Sequence, residues 1–249
     1  MATETLYLLL GAAAGGFVQG LSGFAFGLVA MAFWAWFVPP QLAGPMVVFG
    51  SLIGQMLSVG AARRGFDARR VWPFLCGGVL GVPLGVIALR HLDATVFKAA
   101  IGALLAIYCP AALFARDLPR VTAGGRLADG GIGFLGGVMG GIGGLTGPLP
   151  TLWCALRGWG GDAQRAVFQT FNLAMQALTL AIYAATGVIT VEARHSFLLI
   201  VPAMLVPTLV GARLYRGFSE VAFRRLVLLL LTLSGVVLLA ASVPRLIGA

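Results

Sequence analysis

The chain has 249 residues, 59% of them hydrophobic and 10% charged, with a net charge of +9 and a mean hydropathy of +0.98. Soluble domains are about one-quarter charged, so this balance excludes a soluble enzyme or binding module and defines an all-α polytopic membrane protein. The basic residues sit in or beside short loops such as "AARRGFDARR" and "YRGFSEVAFRR", as orientation signals do, which makes the lipid bilayer the partner and excludes nucleic acid.

Eight apolar elements follow in chain order: residues 5–38, 42–61, 70–89, 95–114, 128–158, 163–186, 196–214 and 221–243. Residues 1–5 carry no basic n-region and no small-residue cleavage signal ends the first run, so it reads as mature structure. The first and fifth elements are too long for single helices. Each reads as two halves of about 11 to 14 residues around a glycine cluster, "GLSG" at 20–23 or "GGIGGLTGP" at 140–148, and such a half is too short to span alone. The aromatic cluster Phe33, Trp34, Trp36 and Phe37 reads as an interfacial belt. Gly77, Gly81 and Gly85 in "CGGVLGVPLG" read as close helix packing, within the bundle or across a homodimer. Pro83 and Pro207 are expected to kink their helices.

The glycine clusters also carry an internal repeat. Gly20, Leu21, Ser22 and Gly23 align with Gly144, Leu145, Thr146 and Gly147 at an offset of 124. Ser51 and Gln55 match Asn172 and Gln176 at 121, Gly65 matches Gly187 at 122, and Pro83 matches Pro207 at 124. The joint is the loop-like "ARDLPRVTAGGRLADG", giving transmembrane repeats over 1–118 and 119–249 within one integrated membrane domain.

Loop charge suggests how the halves are related. The loop near 66 has four arginines and one aspartate while its mate near 190 has one charge of each sign, and the pair near 92 and 217 reverses the bias. Under the positive-inside rule the loops near 66, 120 and 217 are cytoplasmic and those near 40, 92 and 190 are outside. Residues 128–158 then enter and leave by one face, as a re-entrant hairpin. Two inverted repeats result, each a broken, re-entrant helical hairpin plus three transmembrane helices. The competing arrangement treats both long elements as kinked full spans, with eight crossings and parallel halves.

Non-helical backbone at membrane depth is tolerated only where protein buries it or where it lines a wet cavity. Two opposed tips would bring the starts of the helices near Phe24 and Leu149 to the bilayer midplane, with their free N–H groups and positive dipole ends. Such ends favour a small anion. Ser22 and Thr146 can cap those helices or donate to a ligand. Ser51 with Gln55, and Asn172 with Gln176, are each one helical turn apart and can complete the shell. Gln19, Gln169 and Thr170 are further candidates. The candidate substrate-binding set is therefore Gln19, Gly20, Leu21, Ser22, Gly23, Phe24, Ser51, Gln55, Gly144, Leu145, Thr146, Gly147, Gln169, Asn172 and Gln176.

All eight acidic residues lie at element ends or in loops, which argues against a carboxylate proton carrier or a sodium site. His91 and His195 lie at loop edges. Cys76, Cys109 and Cys154 fall in apolar stretches without metal-ligand spacing. No nucleophile with a base and no Walker sequence is visible, so neither an enzyme, a cofactor nor a metal is expected. These residues alone support a small-anion transporter working by alternating access, or alternatively an anion channel or uniporter.

The segments "GFVQGLSGFAFGLV" and "GGVMGGIGGLTGPLPTL", with the proline-glycine stretches near Pro83 and Pro207, resemble the TauE/SafE family of sulfite and organosulfonate exporters. The resemblance covers essentially the whole chain. It implies export of sulfite, an organosulfonate or a related sulfur oxyanion across a bacterial cytoplasmic membrane. By position, the family's glycine-rich motif falls on Gly16, Gly20, Ser22 and Gly23, and its repeat on Gly140, Gly144, Thr146 and Gly147. Pro148 stands where the first half has Phe24, so the two sides of the site need not bind alike.

Overall fold

The computed structural model describes residues 2–22, 25–58, 65–114, 120–214 and 220–247, and among them every regular element is an α-helix. In chain order these are α1 (Ala2–Ser22), α2 (Phe26–Phe37), α3 (Pro40–Ser58), α4 (Ala68–His91), α5 (Ala94–Leu113), α6 (Gly125–Gly143), α7 (Pro148–Leu156), α8 (Gly161–Ala185), α9 (Val191–Leu214) and α10 (Glu220–Ile247). Six of them, α1, α4, α5, α8, α9 and α10, are long and apolar enough to cross a membrane. The protein is a multi-pass membrane protein. The 19-residue α3 falls outside those six; Pro40, Gln41, Pro45 and Gln55 dilute its apolar side chains.

The two long apolar elements are helical hairpins with unequal arms, not pairs of equal halves. α1 has 21 residues and α2 has 12; α6 has 19 and α7 has 9. In the first hairpin the Tyr7 and Phe37 rings stack at 3.7 Å, and Trp34 Nε1 donates to the Leu8 carbonyl at 3.2 Å. At the other end of the same pair, Phe26 N donates to Gln19 Oε1 at 3.2 Å. α2 therefore runs back along α1 to where α1 began, which rules out a kinked span there. In the second hairpin Arg157 and Trp153 of the returning arm reach Asp129 of the outgoing one.

Why the first arm is longer than expected lies in its glycines. Gly16 and Gly20 do not form the turn. A Cβ on either would run into the backbone of α9, at Met204 for Gly16 and at Thr208 for Gly20. Thr208 Oγ1 adds hydrogen bonds to the Gly16 carbonyl at 3.0 Å and to that of Met204 at 2.7 Å. The helix continues through these positions because a neighbouring helix uses the missing side chains.

α4 and α6 meet in the same way. Gly77, Gly81 and Gly85 of α4 lie against the carbonyls of Gly130, Phe134 and Val138, while Gly133, Gly137 and Gly141 of α6 lie against those of Phe74, Gly78 and Val82. This is small-residue packing at four-residue steps, and it lies within the bundle. α4 and α9 continue as helices through Pro83 and Pro207.

Loops gather at two ends. At one, Gln41 Nε2 donates to the Leu92 carbonyl at 3.3 Å, Lys98 Nζ to that of Trp36 at 3.2 Å, and Arg90 to that of Thr186. At the other, Gly65 lies against Asp162, Arg70 stacks over Trp159, and Val121 N donates to the Leu156 carbonyl at 2.8 Å. The loop near 217 lies outside the described residues. Gly65 and Gly187 both adopt left-handed φ, 78° and 72°. Asp93 caps α5; the hydrogen bonds to its carboxylate, first that from the Thr95 N–H, hold its pKa below the usual carboxylate value.

Trp34 is a correction to the interfacial belt. It is fully buried in the core while Phe33 and Phe37 are exposed. Its indole N–H is answered inside the hairpin by Leu8.

The α4–α6 contact predicts a sharp contrast between two substitutions. Gly81→Ala forces a methyl into the Phe134 carbonyl and should destabilise by about 1–3 kcal/mol. Gly131→Ala, with nothing within 4 Å of the new methyl, should be neutral or stabilising by up to about 1 kcal/mol. Thermal unfolding of the purified variants in one detergent checks both.

Candidate functional site

Both hairpins turn inside the bundle, and their tips face a common cavity. The first tip leaves Ser22, passes residues 23–24 and resumes at Ala25, whose φ of 88° is left-handed. That conformation costs a residue with a Cβ roughly 1–2 kcal/mol; strain of this kind tends to collect at functional sites. Gly144, at φ 70°, ends α6, and its Cβ would collide with Val47 and the Val48 backbone of α3. Here glycine is required twice, for the turn and for the approach of α3.

The cavity measures about 30 Å³, above the ~10–15 Å³ that one water needs. From the first half, Gln19 of α1, the first turn of α2 (Phe26, Gly27, Leu28), and Ser51 and Gln55 of α3 line it. From the second half come Gly144, Leu145 and Gly147 of the tip, Pro148, and Asn172 and Gln176 of α8. The polar members are nearly sealed: Gln19, Ser51, Gln55, Asn172 and Gln176 are 1, 4, 4, 3 and 3% exposed. Each pair on α3 and α8 shares one helix face, and the bundle turns both pairs inward.

The cavity wall carries no formal charge. The stretches 19–28, 44–58, 143–152 and 166–182 contain no ionisable side chain. Polar contact comes from amides, a hydroxyl and helix starts. Gln176 is distinctive among them, because its buried Oε1 has no hydrogen-bond partner. Such a group costs ~1–3 kcal/mol unless a ligand or water answers it.

The remaining sequence candidates separate into four groups. Gly20 and Leu21 belong to α1 and do not line the cavity, and the Ser22 hydroxyl donates back to the Val18 carbonyl at 2.7 Å. Gly23 and Phe24 lie outside the described residues. Thr146 is neither a cap nor part of the lining: its Oγ1 donates to Asn172 Oδ1 at 2.8 Å. That bond turns the Asn172 amide N–H₂ toward Gly147, whose absent Cβ would lie 3.0 Å from Nδ2. Gln169 sits one turn from the lining, 3% exposed, with its Oε1 unpartnered; Thr170 is half-buried and also outside the lining.

The two helix starts differ. α2 begins at Phe26, with the Phe26 N–H taken by Gln19. α7 begins Pro148-Leu149-Pro150, so of these three residues only Leu149 has an N–H to offer. The second half thus supplies fewer backbone donors and compensates with Asn172.

Sequence reasoning missed the clamp at the base of the second hairpin. Asp129 and Arg157 form an ion pair at 2.9 Å with both side chains 9% exposed. Arg157 also donates to the carbonyls of Thr122 and Ala123, each at 3.2 Å, and of Gly125 at 2.6 Å, and it lies over Trp153 at 5.0 Å. Asp129 takes a further bond from Trp153 Nε1 at 2.7 Å. The only sequence signal was one acid and one base flanking the element.

Six apolar spans around a buried, uncharged polar cavity make the build of a membrane transporter. The model of the sulfite exporter TauE/SafE family matches residues 7–238. The chain belongs to that family. No curated protein and no solved structure gives a significant match.

The clamp sets a stability prediction. Arg157→Met leaves Asp129 buried without its cation and should cost about 3–5 kcal/mol. Arg157→Lys should recover little of this, because a single ammonium cannot replace a planar fork bound to several carbonyls. Unfolding midpoints of the three proteins check the order wild type, Lys, Met.

Proposed function

We propose that the protein exports a small sulfur-containing oxyanion, sulfite or a short organosulfonate, held between the two hairpin tips and released by alternating access. The observation that carries this is the convergence of Ser51, Gln55, Asn172 and Gln176 on one sealed, neutral cavity at the starts of α2 and α7. Amide, hydroxyl and backbone donors suit oxygen atoms bearing spread negative charge. The family supplies the sulfur chemistry. A wall without cations favours one charge over two, since the cost of removing an ion from water rises steeply with its charge. The substrate is therefore read as a monoanion: hydrogen sulfite or a sulfonate. A cavity of about 30 Å³, closed partly by Phe26 and Leu28, suits a compact ion better than one with a long organic tail.

Inverted repeats over 1–118 and 119–249 are part of this reading. Three features support them. The contacts interchange when the halves are exchanged: α1 packs on α9 as α6 packs on α4, and α5 packs on α10. α3 begins at the end that holds Leu92 and leads to Gly65 at the opposite end, whereas α8 begins beside Gly65 and leads to Thr186. α2 and α7, with 12 and 9 residues, rise about 18 and 14 Å, together close to the ~30 Å of hydrocarbon. Two short helices from opposite faces then meet near mid-depth. Arginine-rich loops support a cytoplasmic location, in a bacterial cell, for the end with Gly65, Arg120 and Arg157.

Transport in proteoliposomes tests the reading. Saturable uptake and counterflow of sulfite are expected, and Gln176→Leu or Asn172→Leu should weaken apparent affinity about tenfold or more, the loss expected for a hydrogen bond to a charged group. Because the site has no titrating group, flux of methanesulfonate should stay flat between about pH 5 and 8, while sulfite flux should fall as hydrogen sulfite loses its proton. Linear, non-saturating flux would point to a channel. No flux of either anion from correctly folded protein would reject the proposal.

A further inference from the structure

We infer that Thr151 and Gln169 form a second polar station on the substrate's route, between the cavity and the arginine-rich end of the bundle. The inference rests on the cavity being the oxyanion site. Its starting point is three buried side-chain atoms without hydrogen-bond partners among the described residues: Gln176 Oε1 in the cavity wall, Gln169 Oε1 and Thr151 Oγ1. Gln169 is 3% exposed and Thr151 is 9% exposed. Buried polar atoms are bonded as a rule, so unanswered ones on adjoining helices call for a common cause.

The packing of α7 on α8 puts these atoms in order. The Thr146–Asn172 bond of 2.8 Å and the closeness of Gly147 to Asn172 register the start of α7 against the middle of α8. From there α7 runs to Arg157, at the end where α8 begins. One turn along α7 from Gly147 is Thr151, and one turn back along α8 from Asn172 is Gln169. Both steps lead toward the same end. On α8, Arg165, Gln169, Asn172 and Gln176 follow at spacings of four, three and four residues, which sets them on one helix face.

In the opposite direction the buried hydroxyls are already answered: Thr179 Oγ1 donates to the Met175 carbonyl at 2.7 Å and the Tyr183 hydroxyl to that of Gly141 at 2.6 Å. Next to Ser51 on α3 stand Val47 and Val48, both 0% exposed, and beyond them Gly44 against Leu89 and Tyr183. By the repeat offsets of 121 and 124, Val48 is the mate of Gln169 and Gly27 that of Thr151. Beyond the cavity, unpartnered buried polar atoms thus occur on one side only among the described residues. A threonine hydroxyl and a glutamine amide can donate to an anion in passage, while their unpartnered oxygens accept from its accompanying waters. Arg165, one turn nearer that end on the same face of α8, attracts the anion without holding it in the cavity. The unpartnered atoms of Thr151 and Gln169 thus lead from the cavity toward the arginine-rich end.

The test separates rate from affinity. In Thr151→Val/Gln169→Leu, equilibrium binding of methanesulfonate should stay within about twofold of wild type while counterflow slows about tenfold or more. Gln176→Leu should instead weaken binding. Equal loss of rate and affinity in the double variant, or no loss of either, overturns the inference. A second readout needs no transport. With Cys76, Cys109 and Cys154 replaced by alanine, Thr151→Cys should react with a small impermeant thiol reagent from the arginine-rich face and be protected by methanesulfonate. Labelling from the opposite face, or none from either, also overturns it. If wild type carries no sulfur oxyanion but Thr151→Cys is labelled from the arginine-rich face, the polar route stands and the substrate assignment fails.

Discussion

A helix that stops partway through hydrocarbon leaves N–H and carbonyl groups that water cannot reach, and each costs several kcal/mol unless protein answers it. Both hairpins turn inside the bundle, after Ser22 and at residues 143–148, where protein must answer the free backbone groups, and the rest of the described bundle is arranged around these turns. Glycines draw α9 onto α1 and α4 onto α6 at backbone contact, which encloses each hairpin by a full-length helix. α3 and α8 close the remaining side. Their polar pairs, Ser51 with Gln55 and Asn172 with Gln176, fall where the backbone turns.

The same constraint explains why the glycines serve two purposes that composition alone cannot separate. Gly144 permits a left-handed turn, whereas Gly16 and Gly20 permit a helix to approach another. A glycine that looks like a turn in the sequence can be a contact in the fold when it sits at four-residue steps from its neighbours. Asp129 and Arg157 make a comparable point for charge. A buried ion pair of this kind adds little net stability over an apolar pair, yet it is costly to break, and here it ties the outgoing and returning arms of a hairpin at their open end.

Much of this was legible in the chain. The six elements other than the first and fifth agree with α3, α4, α5, α8, α9 and α10 to within about five residues at each end, because apolar runs of membrane length are bounded by charged loops. Spacing set Ser51 with Gln55, and Asn172 with Gln176, on one helix face each, and both pairs line the cavity. Arm lengths were not, since nothing local distinguishes a packing glycine from a turning one. The role of Thr146 was also hidden: whether a hydroxyl caps a helix, meets a ligand or orients Asn172 depends on a helix 26 residues away. Thr151 carried no signal, because its significance lies in having no partner.

The central claim is that an oxyanion sits between the two tips, and an anomalous scatterer can locate it directly. Selenite is a sulfite analogue whose selenium is visible in anomalous diffraction from crystals of the purified protein. The account predicts one dominant selenium peak within hydrogen-bond reach of Asn172 and Gln176, with Ser51 and Gln55 on its other side. Selenium bound only at surface arginines, with the cavity empty at concentrations that block sulfite transport, would contradict it.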